Sequence, residues 1–352
     1  MNNREQWLKA LDFIRFINKA GFDAFIVGGA VRDFFLNRPI HDFDIVTNAS
    51  ECDMQQLFTR VITPTRRFET WIVPWKNLAF EVTPYRSNSK QLIEDVTLRD
   101  FTMNALAADK TGAIIDPLEG KKDINTRVIR SYLPVKRLEE DPLRIMRAMR
   151  FVSQLGFIIE TDTWLACLSQ QSLLEIVPVE RMQAEMDKLL MGFKHEDALY
   201  FMFHHCFPLY FPKKVRPQRT IDTRKHYNMN SLLSNSERWA AFLWLMYQTN
   251  ADQYMKQWVL PKNEGKKIRY MLQMCHSYPE GVLWDQMSIY EAGETLALQT
   301  ERVHQWVRDR ESKETLQYIS HLYDSLPIKS RKDLMINGKD VIELFPLMKK
   351  KK

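Results

Sequence analysis

Long apolar runs are missing from this chain. No stretch approaches 18 consecutive apolar residues, so nothing in it reads as a membrane span. The opening MNNREQWLKALDF carries acidic residues and no apolar run, so it does not read as a signal peptide, and a cytoplasmic protein is expected. Cysteine is scarce and scattered: Cys52, Cys167, Cys206 and Cys275 show no C-x-x-C spacing. Neither a zinc site nor a disulfide framework is indicated, and buried free thiols of a reducing compartment are the expectation. Glycine is also scarce, 11 in 352 residues, while Leu, Met, Glu and Lys abound, which points to a mainly helical chain. No internal repeat or low-complexity linker interrupts it. The length allows two or more domains, and 45% hydrophobic residues can fill a sizeable core. A formal charge of +6 favours a polyanionic partner, although a mildly basic soluble enzyme has the same balance.

What is present is organised around residues 25–49, FIVGGAVRDFFLNRPIHDFDIVTNA. Phe25, Ile26 and Val27 read as a short buried strand. Gly28 and Gly29 form a turn of little bulk, and a helix over 30–36 follows, with Arg32 and Asp33 in its first turns. A second strand is expected over 42–46. Its Asp42 and Asp44 stand two apart and so share one face, while Phe43 and Ile45 face a core. Two carboxylates on one face repel unless a cation sits between them, and Mg²⁺, which arrives with nucleotide phosphates, is the natural occupant. The paired glycines let a phosphate approach the backbone, and the following helix aims free N–H groups at it. Either motif alone is more often an ordinary turn or a solvated strand edge. Together, in this order, they define a phosphate seat beside a metal seat.

Along the rest of the chain, apolar spacing predicts a helix over 6–20, and a helix over 48–60 capped by Asn48 or Ser50. Strands are expected over 70–73 and 78–83. Glu81 in the second of these lies between apolar neighbours, a costly place for a carboxylate unless it is paired or metal-linked. LRDFTMNA follows, with Asp100 read as a helix cap, and then a strand over 113–115. In EEDPLRIMRAMRF, Asp141, Arg144, Arg147 and Arg150 recur in steps of three and form a stripe down a helix. Two basic runs, 213–227 and 262–269 with Trp258 and Tyr270 nearby, could track an RNA backbone, although a solvated loop fits each as well.

GGAVRD with DFDIVTNA, EVTPYR, LRDFTMNALA, IIDPLEG, EEDPLRIMRAMRF and VPVERMQAEMDKLL resembles the signature of class II nucleotidyltransferases of the DNA polymerase β superfamily. These are the tRNA CCA-adding, CC-adding and A-adding enzymes and the bacterial poly(A) polymerases. The resemblance covers residues 21–191. It implies an α+β protein: a nucleotidyltransferase head with a small mixed β-sheet over 1–133, an all-helical neck over 134–193, and a helical body and tail over 194–352 that bind tRNA. It implies Mg-dependent nucleotidyl transfer to a tRNA 3′ end. Asp42 and Asp44 would be metal ligands, and Glu81 the third catalytic carboxylate. Gly28, Gly29, Arg32, Asp33, Arg99, Asp100 and Asn104 would hold the nucleotide's phosphates and ribose. Glu140, Asp141 and Arg144 would serve as a protein template for the base, with Arg147 and Arg150 serving the nucleotide or the helix's own carboxylates. Leu98 stands where most relatives have a second Arg. Glu180, Arg181 and Glu185 resemble the motif that braces the template helix.

The resemblance leaves several activities to separate. Poly(A) polymerases carry a basic, glycine-bearing strand ahead of the third carboxylate, and TWIVPWKNLAFEV lacks it. CCA-adding and A-adding members carry a long flexible loop before RDFTMNA, where this chain has only residues 87–97. The expectation is therefore a CC-adding enzyme that uses CTP. A full CCA-adding enzyme that uses CTP and ATP is the alternative, and a non-catalytic RNA-binding relative is a more distant one. Residues 333–341 resemble the start of the family's tail segment, and the sequence ends sooner than its relatives do.

Overall fold

The structure is a computed structural model and describes residues 2–63, 70–86, 91–217, 227–278, 280–282, 284–335 and 340. It divides into two units, 1–212 and 213–352.

The first unit opens with α1 (Asn3–Lys19), capped by the Asn2 side chain. The buried stretch Ala24–Val27 forms β1, and α2 (Gly29–Phe35) leaves it directly. The loop after α2 returns as β2 (Phe43–Thr47), which starts one residue later than expected and leaves Asp42 just ahead of it. A capping box between Ser50 and Asp53 opens α3 (Glu51–Leu57), and the extended backbone of Phe58 ends it sooner than the apolar spacing suggests. β3 (Trp71–Trp75) and β4 (Leu78–Pro84) form a hairpin. Its two turn residues, Lys76 and Asn77, both have positive φ, as a tight turn between right-twisted strands requires. After α4 (Leu92–Thr97), the pairs β5 (Ala107–Ala108) and β6 (Ile114–Ile115) complete a six-stranded mixed sheet in the order β3-β4-β2-β1-β5-β6. Phe43 and Ile45 face the core, at 2% and 0% exposure. Phe13 of α1 stacks on Phe80 of β4 with centroids 4.2 Å apart, sealing that face.

Residues 98–106 do not continue as the expected helix. Phe101 is extended, and only Thr102–Asn104 winds into a single 3₁₀ turn. The Asp100 carboxylate accepts from the Phe101 N–H, and the Thr102 N–H donates to the Arg130 carbonyl, so a side chain and a distant backbone segment hold this stretch in its extended entry.

The chain then runs through α5 (Gly120–Thr126), β7 (Val128–Ile129) and α6 (Pro134–Glu140) to α7 (Leu143–Leu155). Pro142 separates the last two. It forces the preceding Asp141 into extended backbone, φ −147° and ψ 94°, so this carboxylate sits at a helix break. β8 (Ile158–Ile159) pairs in parallel with β7. α8 (Thr161–Ser169), α9 (Val179–Leu190) and α10 (His195–His204) follow, and α9 and α10 both pack on α7.

The second unit is helical: α11 (Asn235–Tyr247), α12 (Ala251–Met255), α13 (Lys262–Ser277), α14 (Gln286–Ala292), α15 (Glu294–Val307) and α16 (Lys313–Asp324). Trp258, which stands near the second basic run, is fully buried, and its indole N–H donates to the Tyr247 hydroxyl. It is a core residue. Of the basic run over 213–227, residues 218–226 lie outside the described residues, as do 336–339 and 341–352 of the tail. No helix among the described residues is long and apolar enough to cross a membrane.

Candidate active site

The sheet brings the expected carboxylates into line. Val27 of β1 sits opposite Asp44 of β2, and Asp44 sits beside Glu81 of β4 in parallel register. The glycine turn, Asp44 and Glu81 therefore stand in order across three adjacent strands, with Asp42 just before the middle one. All of them line a cleft of about 690 Å³. Burial raises the Asp44 carboxyl above its usual range; Arg99 and Arg86 oppose that rise and Asp42 adds to it. Burial also raises Glu81, and the charges of Asp44 and Asp42 push it further, with Lys188 opposing.

The donor set is all oxygen, which suits Mg²⁺. No three His, Cys, Asp or Glu groups among the described residues stand close enough to form a ready-made metal cluster. Asp42 and Asp44 still fit this ion, which usually takes one or two carboxylates and completes its shell with water and substrate phosphates.

The glycine turn is shaped by what lies beneath it. Gly28 has φ +75°, and a Cβ there would meet the Arg99 Nη1 at 2.6 Å and the Asp44 Oδ2 at 3.3 Å. The Gly28 N–H donates to the Leu106 carbonyl, so it is not offered to a ligand, contrary to expectation. The first-turn N–H groups of α2 beyond it have no intrahelical acceptor. Gly28→Ala should therefore cost about 1–3 kcal/mol of backbone strain and push Arg99 aside. Urea unfolding and CTP affinity should both fall, and a variant unchanged in both would show that the turn tolerates a side chain.

Arginines dominate the rest of the lining. Nine Arg or Lys side chains and six carboxylates face the cleft among the described residues, so it suits an anionic ligand. Arg99 is buried, which lowers its pKa; Arg86 adds to that, and Asp95 and Asp44 oppose it. It ion-pairs with buried Asp95 at 3.6 Å, and its Nε has no hydrogen-bond partner among the described residues. Arg32 differs from expectation: its Nε and Nη2 donate to Asp33 and its Nη1 to the Asn104 Oδ1 at 2.6 Å, so it holds the turn together. Asp100 accepts from the Asn104 amide at 2.9 Å and from the Arg147 Nε at 2.7 Å. Arg150 pairs with Glu185 of α9 at 2.6 Å, and burial pushes its pKa down to about 10 against the pull of that Glu. Arg147 and Arg150 thus serve carboxylates on other elements, not those of their own helix.

The helix break holds the expected template group. Arg144 donates to the carbonyls of Arg137 and Leu98, at 3.1 and 3.0 Å. Asp141 accepts from both Nη atoms of Arg181, at 3.1 and 2.9 Å. Glu140 pairs with Arg137 at 2.6 Å and with Arg144 at 3.7 Å and is not among the residues that line the cleft. Sequence patterning does not single out Arg38, His41, Gln154 or Lys188, which also line it. Only Lys188 leaves a trace, at three residues beyond Glu185 and so on the same helix face.

Such a glycine turn and carboxylate row on a small mixed sheet define a nucleotidyltransferase head. In agreement, residues 24–130 match the poly A polymerase head domain, 156–206 the RNA and SrmB-binding site of polymerase A, and 230–351 the tRNA nucleotidyltransferase domain 2. The chain is 35% identical to the CCA-adding enzyme of Bacillus subtilis (strain 168) over 356 residues, 96% of this chain and 88% of that one. It is 33% identical to the CCA-adding enzyme of Geobacillus sp. (strain WCH70) over 357 residues, covering 97% and 88%. The crystal structure of the Bacillus stearothermophilus CCA-adding enzyme in complex with CTP aligns with a TM-score of 0.81 at 34% identity, covering 98% of this chain and 89% of that one. The chain belongs to the CCA-adding family of tRNA nucleotidyltransferases.

Proposed function

We propose that this enzyme adds CMP twice and then AMP to the 3′ end of tRNA, from CTP and ATP. The single observation that supports the full CCA reading over the CC-only one is that the similar curated relatives, aligned over almost the whole chain, are CCA-adding enzymes. The CC-only expectation rested on counting residues 87–97 as a short loop. Residues 92–97 of that link are the helix α4, and its Asp95 accepts from the Arg86 N–H and pairs with Arg99. Residues 87–90 lie outside the described residues. A residue count over a folded helix says little about a mobile lever.

In this reading, residues 1–133 are the catalytic head, 134–193 the template-bearing neck, and 194–352 a helical body and tail for the tRNA. The 3′-oxygen of the RNA attacks the α-phosphorus, and the bond to the β-phosphate breaks to release pyrophosphate. Asp42 and Asp44 would hold Mg²⁺, which when bound offsets charge on the triphosphate and on the attacking oxygen. Glu81, raised by burial and its neighbours, takes the proton from the 3′-hydroxyl. Arg99, with its unpartnered Nε, and the first turn of α2 bind the leaving phosphates. Asp100 and Asn104 shape the ribose side. Positioning and electrostatics dominate, since the protein forms no covalent bond. Asp141 accepts from the base's amino group and Arg144 donates to its ring acceptors, with Arg181 and the Leu98 carbonyl fixing the two side chains.

Two measurements test this. With tRNA lacking its 3′ end, CTP alone should give products longer by two residues, and CTP with ATP longer by three; a stall at two with ATP abundant would restore the CC-adding reading. Asp141→Ala should blur CTP against UTP by about 1–3 kcal/mol of discrimination, the worth of one good base contact. Unchanged selection in Asp141→Ala would rule out a protein template at this break.

A further inference from the structure

Of Asp42, Asp44 and Glu81, Asp42 is the one that the sheet does not hold. Asp44 and Glu81 take their places from paired strands, whereas Asp42 lies one residue ahead of β2, outside the paired registers, and is exposed. Among the described residues its side chain makes no hydrogen bond or ion pair. Its position is therefore set by the link between α2 and β2.

That link is tied down at three points. α2 closes in a Schellman turn: the Asn37 N–H donates to the Phe34 carbonyl and the Arg38 N–H to the Asp33 carbonyl, with Asn37 at φ 51°. Asn3 of α1 brackets the next residues. Its side-chain amide donates to the Arg38 carbonyl at 2.6 Å, and its Oδ1 accepts from the Ile40 N–H at 3.4 Å. The third tie reaches furthest along the chain. The Arg38 Nη1 donates to the Gln154 carbonyl at 2.8 Å, across 116 positions. Gln154 lies in the last turn of α7, where carbonyls have no intrahelical donor and the helix end favours a cation. Arg38 thus fastens the link that ends in Asp42 to the same helix that carries Arg144 in its first turn, about 15 Å away at 1.5 Å per residue.

We propose that Arg38 is a positioning residue for the metal seat: by holding the α2–β2 link against the end of α7, it keeps Asp42 where it can share a divalent cation with Asp44. The proposal rests on the nucleotidyl-transfer reading of the cleft. Arg38 lines the cleft but touches no reacting atom in it.

The test uses the full chain with Mn²⁺ alone as the probe, its free concentration followed by electron paramagnetic resonance without nucleotide or RNA. Arg38→Ala should weaken Mn²⁺ binding about tenfold, the low end of what losing the support of a metal ligand costs. Arg38→Lys keeps a cation that can donate to the helix end and should recover most of the loss. Asp42→Ala should weaken binding at least as much as Arg38→Ala, and adding Arg38→Ala to it should weaken it no further. With tRNA lacking its 3′ end, Arg38→Ala should raise the Mg²⁺ needed for half-maximal incorporation by the same factor. At saturating Mg²⁺ the KM for CTP and the choice of CTP over UTP should match the native protein, which a general loosening of the cleft would not allow. Native Mn²⁺ affinity in Arg38→Ala would overturn the proposal, as would a full further loss in the Asp42→Ala background. A raised KM for CTP that saturating Mg²⁺ does not restore would give Arg38 a contact with the nucleotide and overturn it as well. Native Mn²⁺ affinity in Asp42→Ala, or no incorporation by the native protein, would remove the reading of the cleft itself and this proposal with it.

Discussion

Asp44→Asn is expected to abolish CMP incorporation while leaving the protein as stable as before, or slightly more so. Both halves follow from one observation. Asp44 is half-buried, beside Glu81 in register and near Asp42, and burial with that neighbour keeps its carboxyl above the usual range. A carboxylate whose folded pKa is raised opposes folding once it ionises, because the unfolded chain carries that charge at lower cost. At neutral pH, Asn removes the charge and the opposition together. Catalysis depends on the same charge. Without it the Mg²⁺ seat keeps only Asp42, and a loss of several kcal/mol in transition-state stabilisation corresponds to about a thousandfold or more in rate. Single-turnover incorporation beside urea unfolding checks both. Near-native activity would move the metal seat elsewhere, and a large loss of stability would mean that Asp44 holds the sheet together.

Part of that site is legible in the amino-acid sequence. Apolar and polar residues alternate at the start of 43–46, and a strand follows from that spacing, as does a shared face for carboxylates two apart. The steps of three also place Asp141 on the helical stripe, whereas Pro142 holds it in extended backbone ahead of α7. The parallel register of Asp44 with Glu81 is not legible, because the two strands are 37 residues apart and an α3–β3 excursion separates them. Helical spacing puts Arg144, Arg147 and Arg150 on one stripe but cannot name their partners. Those partners are the Leu98 carbonyl, Asp100 and Glu185, each more than 30 residues away in sequence. The 3₁₀ turn at Thr102–Asn104 escapes for a similar reason, since the Arg130 carbonyl that takes the Thr102 N–H comes from a later strand end. Local chemistry sets periodicity, and long-range pairing decides which side chains remain available to a ligand.

Asp100→Asn is expected to damage the fold more than any other single change in the cleft, and in a pH-dependent way. Asp100 is 7% exposed and takes the Arg147 guanidinium through its Nε and Nη2, at 2.7 and 2.6 Å, as well as the Asn104 amide and the Phe101 N–H. Burial alone would raise its carboxyl, but the Arg147 charge and these hydrogen bonds outweigh burial and hold it well below the usual range. Removing the charge of this nearer partner leaves Arg147 only Glu185, at 3.4 Å, and costs up to about 3–5 kcal/mol, the range for breaking a buried pair. The sign of the pH dependence is fixed by the lowered pKa. The contribution is fully present above the unfolded carboxyl's pKa of about 3.9, and it is lost as pH falls further, toward the folded value. Asp44 and Glu81 act in the opposite sense, since their raised carboxyls protonate first and relieve repulsion on the way down. Native stability should therefore hold or rise slightly as pH drops toward about 4 and fall steeply below it, while Asp100→Asn starts lower and lacks part of the steep limb. Amide exchange along α7 reports the loss locally, and about 3 kcal/mol or more would lower protection there by about a hundredfold or more. If α7 keeps its protection in the variant, Glu185 alone compensates the Arg147 charge and the network does not rest on Asp100.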